Sequence, residues 1–412
     1  MVKPSGAKCN LDCRYCYFLS KEKMYPESRF RMDKNLLETY IKQYIESQKT
    51  PEITFSWQGG EPTLMGQDFF EQAIAFQQKY ASPGTRILNT LQTNGTLLDE
   101  KLCRLFKKYG FLIGLSMDGP EELHNAYRVN RKGEGSFSRV IKGLEILKKT
   151  GVEYNILCSV HAANQDKPLE VYGFFRDELK APFIQFIPIV ERVTKETIEL
   201  ANSGWREPDS KKRVFYKQKG DTVTDRSVSA PEYGDFLISV FDEWVRHDVG
   251  KTFVQIFDVA LGSWFGQPGG LCIFSPACGN AMALEHNGDL YSCDHFVEPG
   301  YLLGNIRKQH MKELAFSEKQ LRFGESKRSA LPEYCINCEV KFACHGGCPK
   351  NRFIKTPDGE PGLNYLCAAY LSFFRHIDRP MKTMVRLLRQ RRQPAEIMDI
   401  IAEKESGKEK EI

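Results

Sequence analysis

The stretch CNLDCRYC, residues 9–16, places three cysteines within eight positions in the spacing CxxxCxxC, directly after a short strand predicted at residues 2–4. Four thiolates close a tetrahedral zinc site or complete the ligand set of a 4Fe-4S cube, so three leave one position open. An iron with an open position can bind a substrate. A zinc site that takes a distant fourth ligand is the alternative, and the three cysteines by themselves allow both.

Eight further cysteines crowd into the C-terminal part of the chain. They are Cys272, Cys278, Cys293, Cys335, Cys338, Cys344, Cys348 and Cys367. Such crowding indicates disulfides in small secreted domains, but this chain has 412 residues, an odd total of 13 cysteines and no apolar export signal at its start. Metal binding is therefore the better interpretation, and we expect a cytoplasmic protein.

Between the two cysteine groups, short apolar runs alternate with amphipathic stretches, which is typical of repeated βα units. Besides the short strand at residues 2–4, strands are predicted at residues 53–57, 86–92, 111–117, 152–160 and 183–189. Six such units are too few for a closed eight-stranded barrel and indicate an open, partial (β/α)6 barrel of the α/β class. Barrels of this type carry their chemistry at the C-terminal ends of the strands.

Polar motifs follow three of the predicted strands. The first is QGGEP at residues 58–62, the second is QTNG at 92–95 and the third is SMDGP at 116–120. Each alone is typical of a turn, but three in phase on one rim favour a binding site. Glycine in the first motif lets the main chain approach a bound molecule closely.

The charge of the chain does not indicate a polyanionic partner. Its 58 Lys and Arg against 53 Asp and Glu give a net charge of +5 spread along the sequence, so we predict neither nucleic acid nor a membrane as a partner. No apolar run approaches the roughly 18 residues of a membrane-spanning helix. We predict a barrel at residues 1–230 with a charged, solvated insertion at 191–230, a helical linker at 231–270, a cysteine-rich domain at 271–378, and a C-terminal helix with a charged tail at 379–412.

Over nearly its whole length the chain resembles the anaerobic sulfatase-maturating enzymes of the radical S-adenosylmethionine (SAM) superfamily. The phrases that carry the resemblance are CNLDCRYCYF, TFSWQGGEPTL, LQTNGTLLDE, FLIGLSMDGPEELHNAYR, IQFIPIVER, HNGDLYSCDHF and PGLNYLC. The second cysteine group is similar to the SPASM domain, which carries auxiliary iron-sulfur clusters. The resemblance implies a radical SAM oxidoreductase that converts a cysteine or serine in a sulfatase motif Cys/Ser-x-Pro-x-Arg to Cα-formylglycine.

The resemblance also implies which residues hold the cofactors, which are three 4Fe-4S clusters and SAM. The cluster that binds SAM would be held by Cys9, Cys13 and Cys16. The nearer auxiliary cluster would be held by Cys272, Cys278, Cys293 and Cys348, and the farther one by Cys335, Cys338, Cys344 and Cys367. SAM itself would be contacted by Tyr15, Gly60, Ser116, Arg128 and Val190. A pair of zinc ribbons is the alternative for the second group, since CxxC pairs suit both metals.

Asp294 directly follows the cysteine at position 293 and is the candidate catalytic base. Removing hydrogen from the target carbon leaves a radical, and forming the aldehyde then requires loss of one proton and one electron. A carboxylate of pKa about 3.9 would take a proton from a hydroxyl of about 15.7 at a cost of roughly 16 kcal/mol. We therefore expect hydrogen abstraction to precede proton loss. Alternatively, Asp294 caps a helix or forms a salt bridge.

The resemblance further implies an unfolded or nascent sulfatase polypeptide as substrate and an electron donor such as flavodoxin or ferredoxin. Two other functions fit parts of the pattern. A SPASM maturase of ribosomal peptides would form a thioether crosslink or epimerise a residue with the same machinery. A zinc-stabilised barrel would be a binding protein, which metal analysis distinguishes from an iron-sulfur enzyme.

Overall fold

A computed structural model describes residues 1–206, 213–267 and 270–406. The strands are β1 Val2–Lys3, β2 Glu52–Trp57, β3 Arg86–Thr93, β4 Phe111–Ser116, β5 Glu153–Val160, β6 Phe183–Pro188, β7 Arg192–Val193, β8 Thr222–Val223, β9 Phe253–Val254, β10 Ala283–Glu285, β11 Asp289–Tyr291, β12 Leu302–Asn305, β13 Arg352–Lys355 and β14 Pro361–Asn364.

The α-helices in the same ranges are α1 Lys34–Glu46, α2 Gln67–Tyr80, α3 Glu100–Lys108, α4 Glu121–Tyr127, α5 Phe137–Thr150, α6 Pro168–Gly173, α7 Ile198–Asn202, α8 Ala230–His247, α9 Gln255–Phe265, α10 Met311–Ala315, α11 Glu318–Ser329, α12 Glu333–Ile336, α13 Lys341–Cys344, α14 Cys367–Arg389 and α15 Ile397–Glu405. Short 3-10 helices lie at Leu19–Met24, Pro62–Met65, Cys272–Phe274, Asp294–Phe296, Pro299–Tyr301, Pro349–Asn351 and Pro394–Glu396, and a π-helical turn lies at Phe174–Glu178.

One sheet forms the centre of the described structure, with the strand order β12-β11-β10-β1-β2-β3-β4-β5-β6-β9. Strands β1 to β6 pair in parallel in chain order, and each of them matches a predicted strand to within one residue at either end. The expected α/β class with a partial barrel is therefore confirmed. The short strand β9, which pairs with β6, was not predicted.

The burial pattern of β2 shows why this segment forms a strand. Ile53, Phe55 and Trp57 are buried, whereas Thr54 and Ser56 between them are partly exposed. Because successive residues of a strand point to opposite faces, the apolar set packs against the helices and the small polar set faces inward. This inner face and the loops at its C-terminal edge are the surfaces available for a site.

Two glycines end helices of the barrel. Gly110 follows α3 with φ +62°, and Gly151 follows α5 with φ +68°. Both adopt the left-handed conformation, which glycine enters without the steric cost of a Cβ atom. The chain can therefore turn directly from each helix into the next strand of the barrel.

The C-terminal domain is joined to the barrel through the sheet. Strand β10 pairs in parallel with β1, and β11 and β12 extend the same edge in antiparallel fashion. The boundary predicted at residue 378 falls inside α14, which runs without a break past Pro380 because its buried stripe, including Ile377 and Met381, continues on both sides of it. Helix α15 also extends to Glu405 within the predicted charged tail, and residues 407–412 lie outside the described residues.

Part of the predicted charged insertion folds onto the barrel. Strands β7 and β8 pair with each other, and Arg226 forms an ion pair with Glu191 at 2.7 Å, with both side chains less than 5% exposed. These two charges are buried, contrary to the expectation of a solvated face, because each offsets the other's loss of water. In the described ranges, no helix combines the length and apolar character that a membrane crossing requires.

Candidate active site

The N-terminal cysteine loop, residues 9–16, begins beyond the C-terminal end of β1. Its cysteines interact electrostatically with one another, and Cys9 and Cys13 are each 9% exposed. Two donors point at the Cys9 sulfur, the Leu11 N–H at 3.4 Å and the Asn94 side-chain amide at 3.6 Å. Burial raises the pKa of Cys13 to about 12, so a thiolate here needs a cation beside it, which a metal centre supplies.

The QGGEP turn after β2 packs directly against this loop. The Gly60 N–H donates to the Gly6 carbonyl at 2.8 Å, and the Glu61 N–H donates to the Lys8 carbonyl at 2.9 Å. A Cβ atom at position 60 would lie 2.2 Å from the Lys8 carbonyl oxygen. Only glycine fits there, and the turn holds the cysteine loop through main-chain contacts.

Glu61 of the same turn fixes the rim of the barrel. Its carboxylate is fully buried and accepts hydrogen bonds from the N–H and hydroxyl of Thr63, the hydroxyl of Thr93 and the N–H of Asn94, at 2.6 to 3.0 Å. Burial raises the pKa of Glu61, and the four donors oppose that shift. Glu61 therefore ties the ends of β2 and β3 together and positions Asn94, which contacts the cysteine loop.

Asp118, just beyond β4, joins two of the predicted SAM contacts. Its Oδ2 accepts from the Tyr15 hydroxyl at 2.5 Å and from Arg128 Nε at 2.8 Å, while its Oδ1 accepts from the Ser159 N–H at 2.9 Å. Burial alone would raise the pKa of Asp118, but Arg128 and the neighbouring His161 hold it well below its usual range. One buried carboxylate therefore sets the positions of both Tyr15 and Arg128.

Ser116 and Val190, the other predicted SAM contacts, lie on the same rim. Ser116 ends β4, and its hydroxyl accepts from the Gln92 side-chain amide at 2.9 Å. Val190 follows β6, is 7% exposed and belongs to the main apolar core. Gly60 follows β2, so the candidates meet where several strands end, and their contact with SAM stays a prediction.

The second cysteine group divides into two sets in space. The proximal set lines a cavity of about 230 Å3, and its members are Cys272, Cys278, Cys293 and Cys348. The distal set lines a neighbouring cavity, and its members are Cys335, Cys338, Cys344 and Cys367. These sets have the membership that the family resemblance implies for two clusters, and the role of their thiols as ligands stays a prediction.

Two cations lie beside these sets. Lys327 Nζ donates to the Cys272 carbonyl at 2.6 Å, and its charge opposes the rise in the pKa of Cys278 that burial causes. Arg352 interacts electrostatically with cysteines of both sets. In the part of the chain that the structure describes, no three His, Cys, Asp or Glu side chains converge as ligands of a single ion would. Four thiols around a cavity, with cations nearby, suit an anionic cluster of several irons.

Asp294 lies between the N-terminal cysteine loop and the proximal set. It directly follows Cys293, and its Oδ2 accepts from the hydroxyl of Tyr17 at 3.1 Å, the residue after Cys16. Its Oδ1 lies 2.5 Å from Lys3 Nζ. Burial alone would raise the pKa of Asp294, but Lys3, His295 and the hydrogen bonds hold it well below its usual range. The carboxylate of Asp294 is therefore ionised, and because it is 18% exposed it can accept a proton between the two cysteine sites.

Three residues of the site were not predicted from the sequence, namely Asp118, Lys3 and Tyr17. Asp118 belongs to the motif SMDGP, which is typical of a turn. Its position directly after a predicted strand, like that of QGGEP, was a signal that could have identified it. Lys3 is a charge within a strand that is otherwise buried, which signals a buried partner. Tyr17 has no local signal, because its partner is brought to it only by the fold.

Comparison with known families gives two matches. Residues 4–174 match the model of the radical SAM superfamily, which covers the barrel as far as α6. Residues 272–339 match the SPASM model, described as an iron-sulfur cluster-binding domain, which covers the proximal cysteines up to Cys293 and the first two distal ones. The N-terminal cysteine group therefore lies in the radical SAM match, and five of the eight C-terminal cysteines lie in the iron-sulfur cluster-binding match.

Three relatives match nearly the whole chain. The serine-type anaerobic sulfatase-maturating enzyme of Bacteroides thetaiotaomicron is 45% identical over 97% of this chain and 94% of its own length. The serine-type enzyme of Klebsiella aerogenes is 34% identical over 94% of this chain and 86% of its own length. The cysteine-type enzyme of Clostridium perfringens is 32% identical over 91% and 95%, respectively.

Solved structures agree with the fold. Native anSMEcpe with bound AdoMet matches with a TM-score of 0.79 and 31% identity, over 93% of this chain and 98% of that chain. The structure of native anSMEcpe with AdoMet and the Kp18Cys peptide matches with a TM-score of 0.78 over the same shares. SuiB of Streptococcus suis bound to S-adenosylmethionine matches with a TM-score of 0.57 at 17% identity, over 87% of this chain and 75% of that chain, which reflects the fold alone.

Proposed function

The chain belongs to the anaerobic sulfatase-maturating enzymes, radical SAM oxidoreductases that convert a serine or cysteine of a sulfatase to formylglycine, and we propose that in this member Asp294 takes up the proton released as the aldehyde forms. The crosslinking or epimerising peptide maturase is not favoured, because the relatives that match over nearly the whole chain are sulfatase-maturating enzymes.

One observation carries the role of Asp294, namely its position between two cysteine sites. Its backbone follows a cysteine of the proximal set, and its side chain is bonded to Tyr17 beside the last cysteine of the N-terminal loop. A target carbon held between the two sites would lie near Asp294, which can take up a proton, and near the proximal set, whose cluster would accept an electron. Both are required to form an aldehyde.

The ion pair with Lys3 limits how Asp294 works. Because Lys3 holds the pKa of Asp294 below its ordinary value, the carboxylate is an even weaker base than the free side chain. It cannot deprotonate a hydroxyl in the ground state, where the cost would exceed roughly 16 kcal/mol. We infer that Asp294 accepts a hydrogen bond from the target hydroxyl and receives its proton only after hydrogen removal has made that hydroxyl acidic.

For the first cofactor site, we propose that the three cysteines of the N-terminal loop hold a 4Fe-4S cluster whose fourth iron binds SAM. When bound, the cluster and SAM supply the removal of one hydrogen atom from the target carbon. The protein contributes the Gly60 turn, which seats the cysteine loop, and Asp118, which orients the ring of Tyr15 and the guanidinium of Arg128. AdoMet bound to native anSMEcpe supports this assignment.

For the auxiliary sites, we propose that the proximal and distal sets each hold one 4Fe-4S cluster, giving three clusters per chain. The four-thiol composition of each set and the match to an iron-sulfur cluster-binding domain support this count. Anaerobically purified protein should then contain about twelve irons with matching sulfide. Replacing Cys335 and Cys338 by alanine should remove about four of them, and loss of only zinc would overturn the assignment.

We propose a serine of the motif Ser-x-Pro-x-Arg as the target, on an unfolded or nascent sulfatase chain. Identity of 45% and 34% to serine-type enzymes, against 32% to a cysteine-type one, supports this choice. The test incubates reconstituted enzyme, SAM and reductant with paired peptides that differ only in carrying serine or cysteine. Mass spectrometry should find the aldehyde in the serine peptide.

The control peptide carries alanine at the target position and should remain unmodified while SAM is still cleaved slowly. If only the cysteine peptide gains the aldehyde, the choice of serine is wrong. If neither peptide does, although SAM is cleaved, the crosslinking or epimerising alternative is favoured. We also propose flavodoxin or ferredoxin as the physiological electron carrier, since one electron has to enter and one has to leave in each turnover.

A further inference from the structure

A groove of about 930 Å3 lies outside the site described above, bounded by α9, α13 and α14. Aromatic side chains line its apolar part, including Trp264, Phe342 and Phe374, and the first two contact each other with ring centroids 4.7 Å apart. Phe342 is 46% exposed. We call this feature the Arg386 groove, after an arginine on its rim.

One face of α14 gives the rim of the Arg386 groove a positive charge. Its cations are all exposed and recur at helical spacing, namely Arg375, Lys382, Arg386 and Arg389. Arg375 pairs with Glu339 at 2.6 Å, and Lys382 pairs with Asp378 at 2.7 Å. Among the described residues, no carboxylate lies within ion-pair distance of Arg386 or Arg389. The rim therefore carries two uncompensated positive charges.

The Arg386 groove adjoins the distal cysteine set. Val340, which is 6% exposed, lines both the groove and the cavity of that set, so the two features adjoin at this residue. Helix α14 itself begins at Cys367, a member of the distal set. Ile336, beside the same cysteines, is 44% exposed. The distal set therefore lies next to the apolar end of the groove, whereas Arg386 and Arg389 lie farther along α14, roughly 30 Å from Cys367 at a rise of about 1.5 Å per residue.

The reaction releases one electron that has to leave the target carbon. Oxidising –CH2OH to –CHO removes two protons and two electrons. One hydrogen atom leaves with the cleavage of SAM, and one proton goes to Asp294 under the proposed function. One electron remains and has to reach an acceptor that binds and dissociates in every turnover. Complexes between electron-transfer proteins have small interfaces and low affinity, and complementary charge guides their association.

We propose that the Arg386 groove is the docking site of a small acidic one-electron carrier protein, which takes the remaining electron through the distal set and leaves reduced by one electron. The carrier's acidic rim would face Arg386 and Arg389, and an apolar surface beside its redox group would cover Phe342. The proposal rests on the proposed function for the electron, but its charge complementarity can be measured by binding alone.

The test measures binding of oxidised flavodoxin, an acidic carrier, to the cluster-loaded enzyme by isothermal titration calorimetry. Changing both arginines to glutamate (Arg386→Glu with Arg389→Glu) should raise the Kd about tenfold or more and flatten its dependence on salt. The matched control is Arg139→Glu with Lys142→Glu on α5, which are also exposed, three residues apart and without an ion-pair partner among the described residues. The control should bind flavodoxin as the wild type does.

A second readout separates docking from chemistry. Enzyme that has been reduced with dithionite and then freed of the excess should reduce oxidised flavodoxin more slowly when it carries Arg386→Glu and Arg389→Glu. Oxidised benzyl viologen, a small one-electron acceptor that needs no docking, should be reduced by this variant at the wild-type rate. Equal Kd values for wild type and variant would overturn the proposal, as would equal weakening by the control pair. Failure of the wild type to form formylglycine in the peptide assay described above would contradict the proposed function and leave the binding result intact. Arg386→Gln with Arg389→Gln should give a smaller shift in the same direction.

Discussion

The ammonium nitrogen of Lys3 lies 2.5 Å from Oδ1 of Asp294, and it joins the first strand of the barrel to the residue that follows Cys293. The Lys3 side chain is 3% exposed and the Asp294 side chain 18%. Breaking such a pair leaves a charge in a poorly solvated position, which is costly. Lys3 therefore keeps Asp294 ionised. The ion pair also holds β1, which carries Lys3, against the segment after Cys293, which carries Asp294.

Replacing Lys3 by methionine should make the reaction sensitive to acid. Burial would then raise the pKa of Asp294 without the opposing charge. Asp294 accepts a proton only when ionised, so activity would fall as the pH drops through that raised pKa. The measurement is kcat/KM for aldehyde formation from about pH 5 to 8. Lys3→Arg keeps the charge and should retain the wild-type profile, and an unchanged profile in Lys3→Met would contradict this role.

Replacing Asp294 by asparagine should separate SAM cleavage from product formation. Asparagine keeps the size and the hydrogen bond to Tyr17 but cannot accept the proton, so aldehyde formation should fall by about 100-fold or more. Formation of 5′-deoxyadenosine should persist. Chromatography of both products from one reaction gives the ratio. Asp235→Asn, at an exposed carboxylate on α8, is the control, and an equal loss of both products would mean that Asp294 is structural.

Replacing Gly60 by alanine should displace the N-terminal cysteine loop. The new Cβ would lie 2.2 Å from the Lys8 carbonyl oxygen and within 2.9 Å of the main-chain carbonyl carbons of Lys8 and Ala7. We expect about four fewer irons per chain and no 5′-deoxyadenosine. Gly262→Ala on α9, where no atom lies within 4 Å of the added Cβ, should keep its iron. Full iron content in Gly60→Ala would show that the loop can move aside.

His124 should make the enzyme less stable in mild acid. It is fully buried, its Nδ1 accepts from the Asp118 N–H, and burial and the charge of Arg128 lower its pKa to about 3. Below about pH 6.5, the ordinary pKa of histidine, the unfolded chain binds a proton at this position and the folded chain does not. The free energy of unfolding should therefore fall by up to about 1.4 kcal/mol for each unit by which the pH is lowered. Urea unfolding at several pH values measures this slope.

The His124→Gln variant should show a smaller slope over the same range. His247, which is 58% exposed on α8, provides the control, since its replacement by glutamine should leave the slope unchanged. Equal slopes for wild type and His124→Gln would mean that other groups dominate the acid response.

The local sequence was enough to predict the parallel strands and the position of the rim. Alternation of buried residues, as in β2, and glycines at helix ends, as at Gly110 and Gly151, are determined by neighbouring residues. The cysteine spacing in residues 9–16 likewise predicted a metal site, since metal ligands close in sequence leave a visible pattern. Such patterns can be recognised in the sequence because the residues that form each of them belong to a single strand, helix or loop.

The tertiary structure decided the contacts that join distant segments. Lys3 meets Asp294 because β1 pairs with β10, which brings the segment after β11 next to the first strand, and Tyr15 meets Asp118 because the loop after β1 packs against the end of β4. Spacing along the chain could not divide the eight C-terminal cysteines into two sets either, since each set takes members from well-separated loops. Local pattern determines which segment forms a strand or helix, whereas burial of charge requires a partner, and only the packing of the whole chain determines which partner that is.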